Sequence, residues 1–246
     1  TGVVSDTKQA VIVETLVAFT KPDDDLLDSA LAIRMRLGPL RIGSHAATEP
    51  SISLCMIVRD ELAFLGPCLN SAKSLVDEII VVDTGSKDRS ADIARIYGAK
   101  VYNEKWQEDF ALARNKSLEK ASGDWILILD ADEVIARQDF NALRQMILSN
   151  GKTAAAFSIQ TRNYINLANA MDWHANDGCY PQQEAGIGWF PTNKVRLFPN
   201  NDAVRFDYPV HETVDMRAKD AGLAILFCPV PVHHYGHLNE AKNQRK

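Results

Sequence analysis

The chain has 246 residues, 46% of them hydrophobic and 24% charged, with a formal net charge of −5. That is the composition of a globular protein, long enough for one large α/β domain plus an appendage. The acidic balance argues against a general nucleic-acid binder, which needs clustered Lys and Arg against phosphate, and no apolar run approaches the ~20 residues of a membrane span.

Residues 1–50 read as an N-terminal helical extension and linker. Val11 to Phe19 and Leu26 to Leu37 carry apolar residues at 3–4 spacing. Lys21 to Asp25 breaks the two helices, with Asp24 or Asp25 as the N-cap of the second, and Gly38-Pro39 ends it. Gly43 to Pro50 is small and polar. No catalytic constellation lies here; the expectation is a helical hairpin packed on the domain or on a partner. No signal-peptide pattern opens the chain, and a start at Thr1 reads as a fragment. The four cysteines (Cys55, Cys68, Cys179, Cys228) lack metal-type spacing, which gives a reducing, cytoplasmic setting as the default.

From Ile52 the texture changes to alternating strands and helices. Ile52 to Val58 reads as a strand, Glu61 to Leu75 as a helix, and Glu78 to Asp83 as a second buried strand closed by a carboxylate. Thr84 to Ser90 is a turn, and Asp88 or Ser90 can cap the helix running to Tyr97. Lys100 to Lys105 is a short strand, Asp109 to Ala121 a helix, and Trp125 to Leu129 an unbroken apolar strand. Strands recurring with helices between them imply right-handed crossovers in a parallel sheet. Neither a G-x-G-x-x-G nor a P-loop follows the first strand, so phosphate must be held by a metal and side-chain cations.

The Trp125 strand ends abruptly in Asp130, Asp132 and Glu133. Ligands of open parallel sheets bind beyond the carboxyl ends of the strands. Two carboxylates that close repel unless a cation lies between them. A divalent-metal site serving a phosphate-bearing ligand is the inference; the bland alternative is a helix N-terminus that favours acids. Gln138 to Ser149 reads as a helix, and Thr153 to Ile165 and Asn193 to Phe198 as strands of a mixed sheet. Between them Met171 to Pro191, with Trp173, His174, Trp189 and Phe190, reads as an irregular loop. Its aromatics either stack on an acceptor or pack the domain. Leu223 to Pro231 is a last strand, followed by His233, His234 and His237. Alternation puts His233 and His234 on opposite faces, so one of them faces the site.

Joined in order, these segments resemble glycosyltransferase family 2. The carriers are Ser53-Leu-Cys-Met-Ile-Val-Arg-Asp-Glu61, Asp77 to Asp88, Asp109-Phe-Ala-Leu-Ala-Arg-Asn115 and Leu129-Asp-Ala-Asp-Glu133, then Val195-Arg-Leu-Phe198, Val210-His-Glu212 and His234-Tyr-Gly236. The subgroup resembled is often fused to tetratricopeptide repeats and includes peptide S-glycosyltransferases. The resemblance covers about residues 51–240 and leaves 241–246 as a basic tail. It implies a GT-A fold, with a nucleotide-binding half over 51–135 and an acceptor half over 136–240. It implies a nucleotide-sugar donor, a UDP-sugar first, with Mn²⁺ or Mg²⁺ and inversion at the anomeric carbon. The acceptor would be a peptide, a protein or a glycan. By position, the backbone of Val58 and the side chains of Glu61 and Asp83 would line base and ribose. Arg114 would meet base or diphosphate. Asp130, Ala131 and Asp132 would form the D-x-D turn, with Asp130, Asp132 and His234 on the metal. The chain departs from the family pattern at Asp60, where Asn is usual, and at His237, where an aromatic is usual.

An inverting transfer needs a base for the acceptor proton and an electrophile for the leaving diphosphate. Glu212 is the candidate base, with Asp172 and Asp177 next; Glu212 could instead be a helix N-terminal carboxylate. For Arg114 the alternative is a surface ion pair with Glu119 or Asp109, for Asp83 a helix cap, and for His234 a structural role. Rival functions are a nucleotidyltransferase and a non-catalytic nucleotide-sugar-binding module. The first would show a basic Gly-rich loop where Val58-Arg-Asp-Glu61 stands, and the second is disfavoured by the intact acid pair.

Overall fold

The computed structural model describes residues 6–38, 49–150 and 155–238. The linker at 39–48, Thr153 and the tail from Asn239 lie outside the described residues. Helices α1 (Asp6–Phe19) and α2 (Asp24–Leu37) form the expected hairpin. The cap is Asp23, one residue earlier than expected: its carboxylate accepts the Leu26 amide at 2.9 Å. The hairpin is part of the domain's packing, because Val17, Leu27 and Ala30 join the main core. Glu14 ties it on, with its carboxylate taking Lys73 at 2.5 Å and its carbonyl accepting the Tyr97 hydroxyl at 2.6 Å.

The first half alternates as read: β1 (Ile52–Val58), α3 (Leu65–Ala72), β2 (Glu78–Asp83), α4 (Ser90–Ile96), β3 (Lys100–Asn103), α5 (Phe110–Leu118) and β4 (Trp125–Ile128). The four strands are parallel in the order β3-β2-β1-β4. Side-chain alternation sends Leu54 and Met56 into one core layer and Cys55 into the other, so the sheet is covered on both faces. Helix α3 begins four residues later than the expected Glu61. The amides of Asp60, Glu61 and Leu62 are held by Ser86, Ser90 and Asp88, from the β2–α4 loop and the first residue of α4. The Glu61 carbonyl accepts the Phe64 and Leu65 amides, both at 3.0 Å, so 61–64 form a hydrogen-bonded turn that leads into the helix, and Asp60 at φ of 54° marks the break before it.

After β4 come β5 (Glu133–Ile135), α6 (Phe140–Asn150), β6 (Ala155–Ile165), β7 (His174–Ala175), β8 (Gly188–Pro199), α7 (Asp215–Asp220) and β9 (Ala224–His234). They continue the same sheet in the order β4-β8-β6-β9-β5, with β7 paired to β8. β8 runs antiparallel to β4 and β6, while β9 is parallel to β6. β8 starts at Gly188, so Trp189 and Phe190 belong to a strand and not to the irregular loop. Pairing with the far end of β6, Ile165 to Gly188, extends it that far. Among the described residues no helix is long and apolar enough to cross a membrane.

Helix α3 meets α1 closely at Gly66, where an added Cβ would stand 2.8 Å from the Val17 carbonyl oxygen and 3.3 Å from the Ala18 Cα. Both are backbone atoms and cannot swing aside. Gly66→Ala is expected to lower stability by about 1–3 kcal/mol, measured by urea unfolding. An unchanged midpoint would mean that the hairpin is not seated on the domain.

Candidate active site

A cavity of about 840 Å³ opens beyond the carboxyl ends of β1 and β4. It gathers Val58 and Glu61 from the end of β1, and Asp130, Ala131 and Asp132 from the end of β4. Arg114 of α5, Glu212 from the segment before α7 and His234 at the end of β9 complete the set. Of the residues expected to bind the donor or the metal, Asp83 lies elsewhere. Its Oδ1 accepts the amides of Gly85 and Ser86 at 2.9 and 2.7 Å, and its side chain lines a neighbouring hollow with Asp88 and Glu104. Its neighbour Thr84 reaches the main cavity.

Arg114 is 5% exposed. Its Nη2 donates to Asp130 Oδ1, and its Nε donates to Glu212 Oε1 at 2.7 Å. Neither expected surface partner is used: Asp109 caps α5 through the Leu112 amide, and Glu119 pairs with Lys116. The Nη1 of Arg114 is buried with no hydrogen-bond partner. Burial disfavours ionisation of Asp130, but Arg114, with Arg196 and Lys194 behind it, outweighs that and holds the carboxyl below its ordinary range.

Asp132 and His234 face each other, with His234 Nε2 3.5 Å from Asp132 Oδ1. Asn163 of β6 settles the imidazole's tautomer. Its amide nitrogen is directed at the carbonyl of Phe190 (3.1 Å) and at Thr192 Oγ1 (3.0 Å), so its Oδ1 is the atom 2.8 Å from His234 Nδ1. An amide oxygen only accepts, so Nδ1 carries the proton. In the neutral ring Nε2 then turns a lone pair toward a carboxylate, an arrangement stable only with a second proton or a cation between them. Burial opposes the imidazolium, yet Asp132, Glu133 and Asp130 raise the His234 pKa above its ordinary value. Gly236 packs against this pair: a Cβ added there would lie 2.6 Å from both Asp132 Oδ2 and His234 Nε2, so only glycine leaves the two side chains uncrowded. The two side chains therefore fit a divalent cation with an orienting second partner. Asp130, the third expected ligand, is paired with Arg114 in this structure. Among the described residues no three His, Cys, Asp or Glu side chains converge on one ion position.

His233 points the other way, as alternation requires. Its Nδ1 is 2.8 Å from the Tyr164 hydroxyl, and burial drives its pKa down to about 3. His237 packs against Phe190 and His234, with ring centroids at 5.2 Å in each case. Asp172 and Asp177 do not line the cavity; Asp177 accepts the Cys179 amide at 2.9 Å and pairs with Arg162. The Arg162 guanidinium in turn lies between Tyr180 and Trp189, at 4.8 and 4.5 Å from their rings, so these aromatics are engaged within the protein. Sequence reading missed Arg59, Lys194, Trp106 and Phe110 on the cavity wall, and Asn163 behind it. Period-2 alternation along β6 could have flagged Asn163, since it lies two residues from Thr161 on a face that is otherwise buried.

The family model described as Glycosyl transferase family 2 matches residues 53–208. The chain belongs to that family. A TPR repeat-containing protein of Synechococcus elongatus is 37% identical over 206 residues, covering 81% of this chain and 45% of the relative. The SPbeta prophage-derived glycosyltransferase SunS of Bacillus subtilis is 30% identical over 181 residues, covering 72% and 38%. The chain thus spans less than half the length of these curated relatives. Among solved structures, S. aureus TarS 1–349 in complex with UDP-GlcNAc superposes with a TM-score of 0.55 at 16% identity, covering 78% of this chain and 60% of that one. The mannosyltransferase PcManGT from Pyrobaculum calidifontis, in complex with GDP-Man and Mn²⁺, gives 0.51 at 17% identity, covering 93% and 68%. The shared architecture is the GT-A type expected for family 2.

Removing the Arg114 charge would leave Asp130 and Glu212 facing each other unneutralised. Arg114→Met is expected to cost about 3–5 kcal/mol, seen as a lowered midpoint in denaturant, with Arg114→Lys intermediate. A midpoint within error of the parent would show that the ion triad is not formed in solution.

Proposed function

We propose that the chain is the catalytic domain of an inverting, metal-dependent glycosyltransferase that moves a sugar from a nucleoside diphosphate sugar, a UDP-sugar first, to a peptide, protein or glycan acceptor. The observation that carries this reading is the Asp132–His234 pair, whose facing lone pair and carboxylate call for a cation at the mouth of a nucleotide-sized cavity. Cavities of this volume suit ligands of that size. The names of TarS with UDP-GlcNAc and of PcManGT with GDP-Man and Mn²⁺ lend support from proteins of like fold.

A divalent cation held by Asp132 and His234, Mn²⁺ or Mg²⁺, would neutralise charge gathering on the departing diphosphate. The chain's own residues do the rest. Val58 and Glu61 at the end of β1 border the base and ribose, with Asp83 shaping the turn that brings Thr84 alongside. Arg114 holds Asp130 at the floor and adds its positive charge to the cavity lining on the side of the donor's phosphates. Arg59 and Lys194 add positive charge on the wall. Glu212, held in place by Arg114, takes the acceptor's proton as its nucleophilic atom attacks the anomeric carbon and the diphosphate leaves with the bonding electrons. The setting is cytoplasmic; free thiols at all four cysteines support a reducing compartment.

Incubation with a panel of nucleotide sugars and Mn²⁺ is expected to release nucleoside diphosphate. Pyrophosphate release would mean nucleotidyl transfer, and binding without turnover a non-catalytic module. Glu212→Gln should lower transfer by roughly 10²–10⁴-fold while the donor still binds; a parental rate would remove Glu212 from the base role. Gly236→Ala pushes a methyl against both Asp132 and His234 and would drive the two proposed ligands out of place. Calorimetric titration should then show weakened Mn²⁺ binding at an unchanged melting temperature, and undiminished binding would place the ion elsewhere.

A further inference from the structure

Asp132 and His234 come from different elements, and something must hold them in register. Asp132 sits in the turn from β4 to β5, and its carbonyl accepts the Tyr235 amide at 3.0 Å, next to His234. His234 pairs across β5 with Glu133. Glu133 is 2% exposed, and its Oε2 accepts the Asp130 amide at 2.8 Å, closing the turn from inside. A buried carboxylate among two other acids cannot stay ionised there alone.

Arg196 of β8, also 2% exposed, meets it with both arms of the guanidinium. Nη1 donates to Glu133 Oε2 at 2.6 Å and Nη2 to Glu133 Oε1 at 2.5 Å. The same side chain donates to Thr161 Oγ1 at 3.2 Å and to the Ile128 carbonyl at 3.4 Å. One guanidinium thus joins β8, β6, the last residue of β4 and the first of β5. We propose that Arg196 and Glu133 are positioning residues for the site: they fix the 130–133 turn and the β5–β9 register, and so the approach of Asp132 to His234. The inference rests on the reading of those two side chains as the cation pair.

A pair that merely fills the core can be exchanged for apolar side chains of similar volume at little or no cost in stability. Here the exchange also takes the acceptor away from the Asp130 amide. The test is the double variant Glu133→Met/Arg196→Met, compared with the parent by calorimetry, Mn²⁺ and UDP titration, and amide hydrogen exchange read by NMR. The double variant is expected to unfold cooperatively but to bind Mn²⁺ roughly 10–100-fold more weakly, the range for lost outer-shell support. The Asp130 and Tyr235 amides should lose protection while the centre of β9 keeps it. A folded double variant with parental affinity and protection overturns the proposal. Should it not fold, Arg196→Lys decides, since lysine keeps the charge but not the fork: faster exchange at Asp130 and Tyr235 supports the proposal, and parental protection overturns it. A parent protein that binds neither Mn²⁺ nor UDP would count against the proposed function, and the amide data would still decide the positioning role.

Discussion

Three carboxylates within four residues at the end of a buried strand can coexist only if each meets its own counter-charge. Asp130 meets Arg114 from α5, and Glu133 meets Arg196 from β8. Asp132 meets His234, the one partner of the three that can give up its charge. Guanidinium groups stay protonated in proteins, so two of the acids are permanently neutralised. The third is left with a group that can exchange a proton for a metal ion. The chemistry of the site follows from that asymmetry.

The same arrangement explains how distant parts of the chain come together. Arg114 also holds Glu212, 98 residues further along, so the segment before α7 is drawn over the cavity. Asn163 on β6 holds the imidazole from behind. Each contact is a charge or a lone pair finding its complement in a region with little water, where such interactions are strong and mismatches are costly.

The parallel half was legible because buried strands and crossover helices write their periods into the sequence. The unbroken Trp125 to Leu129 run gave the strand, and the acids after it gave the site. Chain ends of elements were less legible where side chains from another segment bind the amides, as at Asp60 to Leu62. The antiparallel half was harder. Trp189 and Phe190 looked like loop aromatics because the pairing that makes them strand residues is with β6, 25 and 27 residues away. Long-range pairing leaves no local period to read. The role of Arg114 was visible as a motif, but its two partners lie 16 and 98 residues away, and only the fold brings them together. The pairing of Asp130 was hidden for the same reason: its counter-charge stands on a separate helix.

The sheet runs without interruption from β3 to β5, and β8 is hydrogen-bonded on one side to the nucleotide half and on the other to the acceptor half. Such a seam has no place for a hinge. Swinging the halves apart would break a row of backbone hydrogen bonds in the middle of the core, so entry and exit of ligands cannot rely on a clamshell motion. Traffic through the cavity falls to the segments that overhang it. The stretch around Tyr208 and His211, both at positive φ, is joined to the body by few backbone bonds, so yielding of this wall would turn on release of the Glu212–Arg114 ion pair.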